Sequence, residues 1–311
     1  MKVAFLFPGQ GSQQANMLHD LPRSSIVDEA LREASEALEE DVLHLDTKES
    51  LRSTVAVQIS LLVASVASAR LLEEQGVKPD AVAGHSVGAY GAAVVANVLS
   101  FQDAVKIVKL RGELMERAYP SGYGMGVVSG IMSNQLERII GQLSINNEPI
   151  YLTNINSPNQ VTISGSVKGI NKLLLAVKKE GARKAELLQV NVPSHCELMK
   201  PIANELACAL EQITFRNPRI PFASNRTARL LRNAQLIKEE LAFNVSKPVR
   251  WHEITQILYE RGTRLFVELP PNHVLTDLAS AAFPDARAIS VMKMGIRSTS
   301  LLINREQSVE N

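Results

Sequence analysis

Short apolar runs alternate with longer amphipathic stretches along most of this chain. The runs KVAFLF (2–7), AVAG (81–84), IPFAS (220–224) and RLFVEL (264–269) are dominated by apolar residues rather than alternating with polar ones. That is the signature of strands buried on both faces of a parallel sheet. Between them, residues 55–75, 88–99, 101–118 and 196–213 read as helical. Strands separated by helices predict an α/β domain with a mainly parallel sheet. The most apolar window, VAVQISLLVASVASARLL (55–72), is interrupted by Gln58, several serines and Arg70. It reads as a buried helix rather than a membrane span.

One block breaks this rhythm. Residues 124–131 predict a strand and 133–143 a helix opened by Ser133. IYLTNIN (150–156) and QVTISG (160–165) predict two more strands, followed by a helix at 167–181 and a strand at 184–190. The order β-α-β-β-α-β is that of a ferredoxin-like unit. The chain therefore divides into a large α/β domain, residues 1–121 and 192–311, and an inserted small subdomain, residues 122–191. The polar tail INREQSVEN is expected to fray.

Composition narrows the function classes. A chain of 311 residues, 45% hydrophobic, can bury a full core without disulfides. Its 33 basic and 32 acidic residues nearly cancel, which argues against nucleic acid or an anionic membrane surface as partner. Cys196 and Cys208 are too few for a disulfide framework and stand in no metal-ligand pattern, so no metal is expected. The first apolar run stops at Pro8, too early for a signal peptide, and a cytoplasmic location is expected.

Three places carry candidate chemistry. Gly84-His85-Ser86-Val87-Gly88 lies between a strand and a helix rich in small residues. That setting suits a nucleophile elbow, with Ser86 at the tip and helix N-terminal amides facing a developing oxyanion. The competing reading is a tight turn with a hydrogen-bonded serine. His85 should point elsewhere and serve structure. In VPSHCELMKP, Ser194 and Glu197 have capping-box spacing, which would put His195 at the first helical position. The dipole there favours the neutral imidazole that a general base needs; a surface histidine at a helix start reads equally well. Cys196 sits on no elbow and is the weaker nucleophile. Finally, Arg111 shares a helix face with Ile107, Val108, Leu114 and Met115. A cation there needs an anion, either an internal salt bridge or a substrate carboxylate held by the bidentate fork, unless its stem snorkels to water.

Taken together, FPGQGSQ (7–13), GHSVGAY (84–90), RGELM (111–115), NINSPNQVTISG (154–165), VPSHCELMKP (192–201) and KPVRW (247–251) resemble, in order and spacing, the malonyl-CoA:acyl-carrier-protein transacylases. The resemblance covers nearly the whole chain. It implies an α/β-hydrolase-like large domain with a ferredoxin-like small subdomain. Position by position, it implies that Ser86 takes the malonyl group and that His195 is its base. Arg111 would pair with the free carboxylate, Gln10 and the Val87 N–H would build the oxyanion hole, and Asn156 would line the pocket. A main-chain carbonyl that steadies the histidine would belong to Arg250. No cofactor is implied; the substrates would be malonyl-CoA and the phosphopantetheine-type thiol of an acyl carrier protein.

Ala89 stands where the fatty-acid enzymes usually have glutamate, and VELPPNHVL (267–275) has two prolines in place of a glycine-containing turn. LRSTVAVQ (51–58) and YPSGYGM (119–125) look like the epsilon subunit of bacterial malonate decarboxylase, whose partner is that enzyme's own carrier subunit. The transacylase of fatty-acid synthesis is the alternative. A serine esterase or thioesterase, with an acid between Ser86 and His195 in chain order, is the alternative of another class. Lys172, Lys178, Lys179, Arg183 and Lys184 form a basic cluster, which suits docking of an acidic carrier or an ordinary solvated helix face.

Overall fold

The computed structural model describes residues 1–119, 121–143 and 148–308. Its strands are β1 (Lys2–Phe7), β2 (Ala81–Gly84), β3 (Tyr123–Ser129), β4 (Ile150–Ser157), β5 (Gln160–Ser166), β6 (Lys184–Leu187), β7 (Phe222–Ala223), β8 (Leu230–Leu231), β9 (Thr263–Glu268) and β10 (Arg287–Ser290). Six of them form one sheet in the order β10-β9-β1-β2-β7-β8, parallel except for the β7–β8 pair. The other four form an antiparallel sheet in the order β4-β5-β3-β6. The mainly parallel α/β sheet and the ferredoxin-like strand order agree with the sequence pattern.

Alternate residues of β1 explain its continuous apolar character. Val3, Phe5 and Phe7 enter the core on one side of the sheet, while Ala4 and Leu6 enter a second core with Trp251 and Phe266. The helix Thr54–Glu74 lies in the first core and is buried nearly all round. By length and composition it could cross a membrane, but 89% of its most apolar window is packed inside the protein. Ser53 caps it by accepting from Val55 and Ala56 N–H. The four-stranded sheet has its own core of Val128, Val161, Ile163 and Leu173. One backbone bridge joins the sheets' surroundings: Val249 N–H donates to the Thr153 carbonyl (2.8 Å), and Ile155 N–H donates to the Val249 carbonyl (2.9 Å).

Some expectations change. The segment 220–224 narrows to a two-residue strand, the strand expected at 184–190 ends at Leu187, and the helix expected at 88–99 ends at Val95. The tail does not fray through its described part: Ile296–Ser308 is a helix. Ile303 is fully buried, and Asn304 Nδ2 donates to the Gln75 carbonyl at 3.1 Å, so tertiary contact overrides the polar composition. Residues 309–311 of that expectation lie outside the described residues.

Candidate active site

The segment after β2 turns sharply into the helix Gly88–Val95, and Ser86 at its tip has φ 56°. A non-glycine residue held in this left-handed region costs about 1–3 kcal/mol and persists only where its surroundings dictate it. Here the turn is tightly enclosed. A Cβ on Gly84 would lie 2.1 Å from the Gly88 carbonyl carbon, and one on Gly88 would lie 2.2 Å from the Phe7 oxygen. The two glycines are what let the backbone close so tightly around Ser86. The Ser86 N–H donates to Asn225 Oδ1 (2.9 Å) and the Gly88 N–H to the His85 carbonyl (3.0 Å). Between them, the Val87 N–H has no acceptor among the described residues, and Val87 lines the adjoining cavity. His85 points away from Ser86; its Nε2 lies 3.1 Å from Asn156 Oδ1 and its ring packs edge-on against Trp251.

His195 Nε2 lies 2.6 Å from Ser86 Oγ. Its Nδ1 lies 2.7 Å from the Asn244 carbonyl and 3.3 Å from that of Lys247. Carbonyls only accept, so Nδ1 carries the proton and Nε2 is left free to accept one from the serine. Burial, and then the nearby positive charge of Arg111, push the imidazole down to about 3. Among the described residues, no carboxylate is hydrogen-bonded to it or paired with it.

The local structure around His195 differs from the expected capping box. Cys196, not Ser194, precedes a short 3-10 turn at Glu197–Met199, and the α-helix begins only at Lys200. Glu197 pairs with Lys200 instead (3.1 Å). Tertiary bonds dictate the difference: His195 N–H donates to the Val245 carbonyl (2.7 Å) and Ser164 Oγ to the Ser194 carbonyl (2.8 Å), which leaves His195 at φ 63°. Burial pushes the Cys196 thiol up to about 12, so it stays protonated and unreactive.

Arg111 is 1% exposed. Its Nη1 donates to Gln58 Oε1 (2.5 Å) and its Nη2 to Ser86 Oγ (3.3 Å), while its buried Nε has no partner. Among the described residues no carboxylate pairs with it, which removes the internal salt bridge, and its burial removes the snorkelling stem. A buried guanidinium beside the serine, with donors unused, is a socket for an anion. Gln58 also donates to Met115 Sδ (3.4 Å), so it is held on both sides.

Ser86, Val87, His195, Arg111, Gln10 and Asn156 all line one cavity of about 320 Å³, and Met125 and Thr162 of the four-stranded sheet close one wall. Arg250 does not belong there. Its carbonyl accepts the Ile254 N–H (3.0 Å) at the start of the helix Trp251–Glu260, and its side chain pairs with Glu253. The carbonyl assigned to Arg250 is supplied by Asn244, with Lys247 in support, because a helix start already engages the Arg250 oxygen.

Residues 4–298 match the acyl transferase domain family. The malonyl CoA-acyl carrier protein transacylase of Haemophilus influenzae is 39% identical over 93% of this chain and 95% of its own length. That of Bacillus subtilis is 36% identical over 93% of each. The malonyl CoA-acyl carrier protein transacylase structure from Coxiella burnetii superposes with a TM-score of 0.93, at 34% identity and 98% coverage of both chains. A malonyl-transacylase solved with a type II polyketide acyl-carrier protein superposes at 0.92, with 36% identity, over 97% of this chain and 99% of that one.

The chain belongs to the malonyl-CoA:acyl-carrier-protein transacylase family. It is an acyltransferase. Against this geometry the motif reading missed Gln58, Asn225 and Asn244. Gln58 left one trace, as the one amide among the polar residues that interrupt the most apolar window, 55–72. The two asparagines left none.

Proposed function

We propose that the protein transfers a malonyl group from malonyl-CoA, through an ester on Ser86, to the thiol of an acyl carrier protein. The observation that carries this reading is the buried Arg111, which lacks a carboxylate partner and lies within 3.3 Å of Ser86 Oγ. Only an acyl group with its own anion suits that socket. His195 Nε2 takes the serine proton as Oγ attacks the thioester carbonyl, and the Val87 N–H and Gln10 receive the oxyanion. The C–S bond breaks and the proton passes to the departing CoA sulfur. The carrier thiol then reverses these steps. Exchange between two thioesters is nearly isoenergetic, so the reaction calls for no cofactor, metal or energy source.

The carbonyl-held histidine supports transfer over hydrolysis. A triad carboxylate stabilises imidazolium, and here neutral oxygens take its place. For the carrier, the relatives named as acyl-carrier-protein transacylases favour an ordinary acyl carrier protein over the carrier subunit of malonate decarboxylase. The motifs that suggested the decarboxylase do not point to a carrier. LRSTVAVQ supplies Gln58 to Arg111, and YPSGYGM supplies Met125 to the pocket wall; Pro120 lies outside the described residues. Both hold the acyl end, which is the same for either carrier. Of the basic cluster, Lys172 pairs with Glu148 and Lys184 with Glu186, leaving Lys178, Lys179 and Arg183 to meet an acidic partner.

The test is a carrier-choice assay. The protein is incubated with malonyl-CoA and each holo carrier, and transfer is followed by intact mass. The expected result is loading of the ordinary acyl carrier protein. Preference for the decarboxylase carrier would return the specialised reading, and free malonate with neither carrier loaded would sink transfer altogether.

A further inference from the structure

Pairing between β2 and β7 ends at Ala83 and Ala223, where β2 turns into the elbow. Two residues past β7, the fully buried Asn225 spans that elbow with its side-chain amide. Nδ2 donates to the Gly84 carbonyl and Oδ1 accepts the Ser86 N–H, both at 2.9 Å. The amide extends the ladder one step beyond the last backbone rung and grips the residue on each side of His85.

Asn225 is itself fastened. Its N–H donates to Glu240 Oε1 (2.8 Å) and its carbonyl accepts the Arg250 N–H (3.0 Å). Glu240 is also fully buried, and its other oxygen accepts from Ser224 Oγ (2.6 Å) and Arg226 Nε (3.1 Å). Every recorded neighbour of this carboxylate is a donor. The helix that carries it, Ala234–Phe243, also offers the Leu241 carbonyl to the Tyr90 hydroxyl (2.8 Å), and it runs directly into Asn244, which holds His195. The supports of the nucleophile and of the base thus leave one short stretch of chain.

We propose that Asn225 is a positioning residue for Ser86, anchored by Glu240. By engaging the Ser86 N–H it fixes the elbow so that the Val87 N–H is the amide left for the oxyanion and Oγ keeps its approach to His195. This rests on Ser86 as nucleophile and not on the identity of the acyl group. The probe is therefore p-nitrophenyl acetate, whose burst reports acylation of Ser86 by an acyl group with no carboxylate for Arg111 to bind, and without a carrier.

In Asn225→Ala the burst rate constant falls by about 100-fold, the cost of a nucleophile displaced from its attack geometry, while the burst amplitude per folded chain is retained. In Glu240→Gln, where an amide N–H₂ now faces donors, the rate constant falls by less. A merely structural role would lower the amplitude and leave the rate constant of the surviving fraction unchanged, and that result overturns the proposal. Should Asn225→Ala fail to fold, Glu240→Gln carries the same test, and a native rate constant there counts against the proposal equally. A wild-type burst with p-nitrophenyl acetate but none with malonyl-CoA defeats the malonyl reading and leaves this one standing.

Discussion

Ser86 and His195 both sit at left-handed backbone angles, 56° and 63°, yet their two turns are held in different ways. The turn at 84–88 relies on close backbone approach: Gly84 lies against Gly88, and Gly88 against the Phe7 carbonyl of β1, with no room for a Cβ at either glycine. The turn at 194–196 has no such crowding from glycine. It is drawn into place from a distance by the Val245 carbonyl and by Ser164. The first turn thus announces itself by two glycines within five residues, although β1 and Asn225 complete its surroundings. The second needs chain thirty or more residues away on either side. A strained conformation can be encoded locally or borrowed from the fold, and this site uses both.

The largest expected effect removes the nucleophile. Ser86→Ala lowers malonyl transfer by about 10⁴-fold or more, measured as loss of the acyl-enzyme mass; a persistent acyl-enzyme would place the ester elsewhere. Next comes the local turn. Gly88→Ala drives a Cβ against backbone and destabilises the protein by about 4 kcal/mol or more, read by chemical denaturation, whereas a shift within experimental noise would show that sterics do not shape the elbow. Arg111→Ala costs about 2–5 kcal/mol in malonyl loading, with acetyl loading spared or raised; equal losses for both acyl groups would remove Arg111 from selectivity.

The same Arg111 variant sharpens the picture of the distant turn. Burial and then Arg111 depress His195, so removing the cation raises its pKa toward the ordinary value. The acid limb of the p-nitrophenyl acetate reaction then moves to higher pH, and an unmoved limb contradicts this. The sign for stability is fixed too. Between about 3 and the ordinary histidine value, the unfolded chain binds the proton and the folded chain does not. This contribution is complete above the unfolded pKa and is lost as pH falls through that window. The smallest effect belongs to Arg250→Ala, which stays within about 0.5 kcal/mol in stability and leaves turnover unchanged, because its half-exposed side chain pairs with Glu253 and does not line the cavity.

The same contrast explains what the sequence made legible. The elbow could be read because its two small residues fall inside five consecutive positions, even though Phe7 and Asn225 pack against it from elsewhere. Arg111 could be read because helical spacing placed it among apolar neighbours. The strand order of the small sheet followed from period and length alone. His195 was found, but its conformation was misread, since a capping box is a local rule and distant carbonyls override it. The supporting carbonyl was placed six residues too late for the same reason: nothing within KPVRW announces that Arg250 already serves the helix starting at Trp251. Asn225, Glu240 and Asn244 resemble any loop or helix polar residue until the fold brings them under the elbow.

The backbone bridge between Val249 and β4 links two tasks that could have been independent. Residues 244–249 end at one side in the carbonyls that steady the imidazole and at the other in the strand carrying Asn154 and Asn156 at the pocket wall. That segment is short and hydrogen-bonded at both ends. Val249 stands five residues after Asn244 and two after Lys247, so the strand at the pocket wall and the acceptors of the Nδ1 proton are joined through one short length of chain.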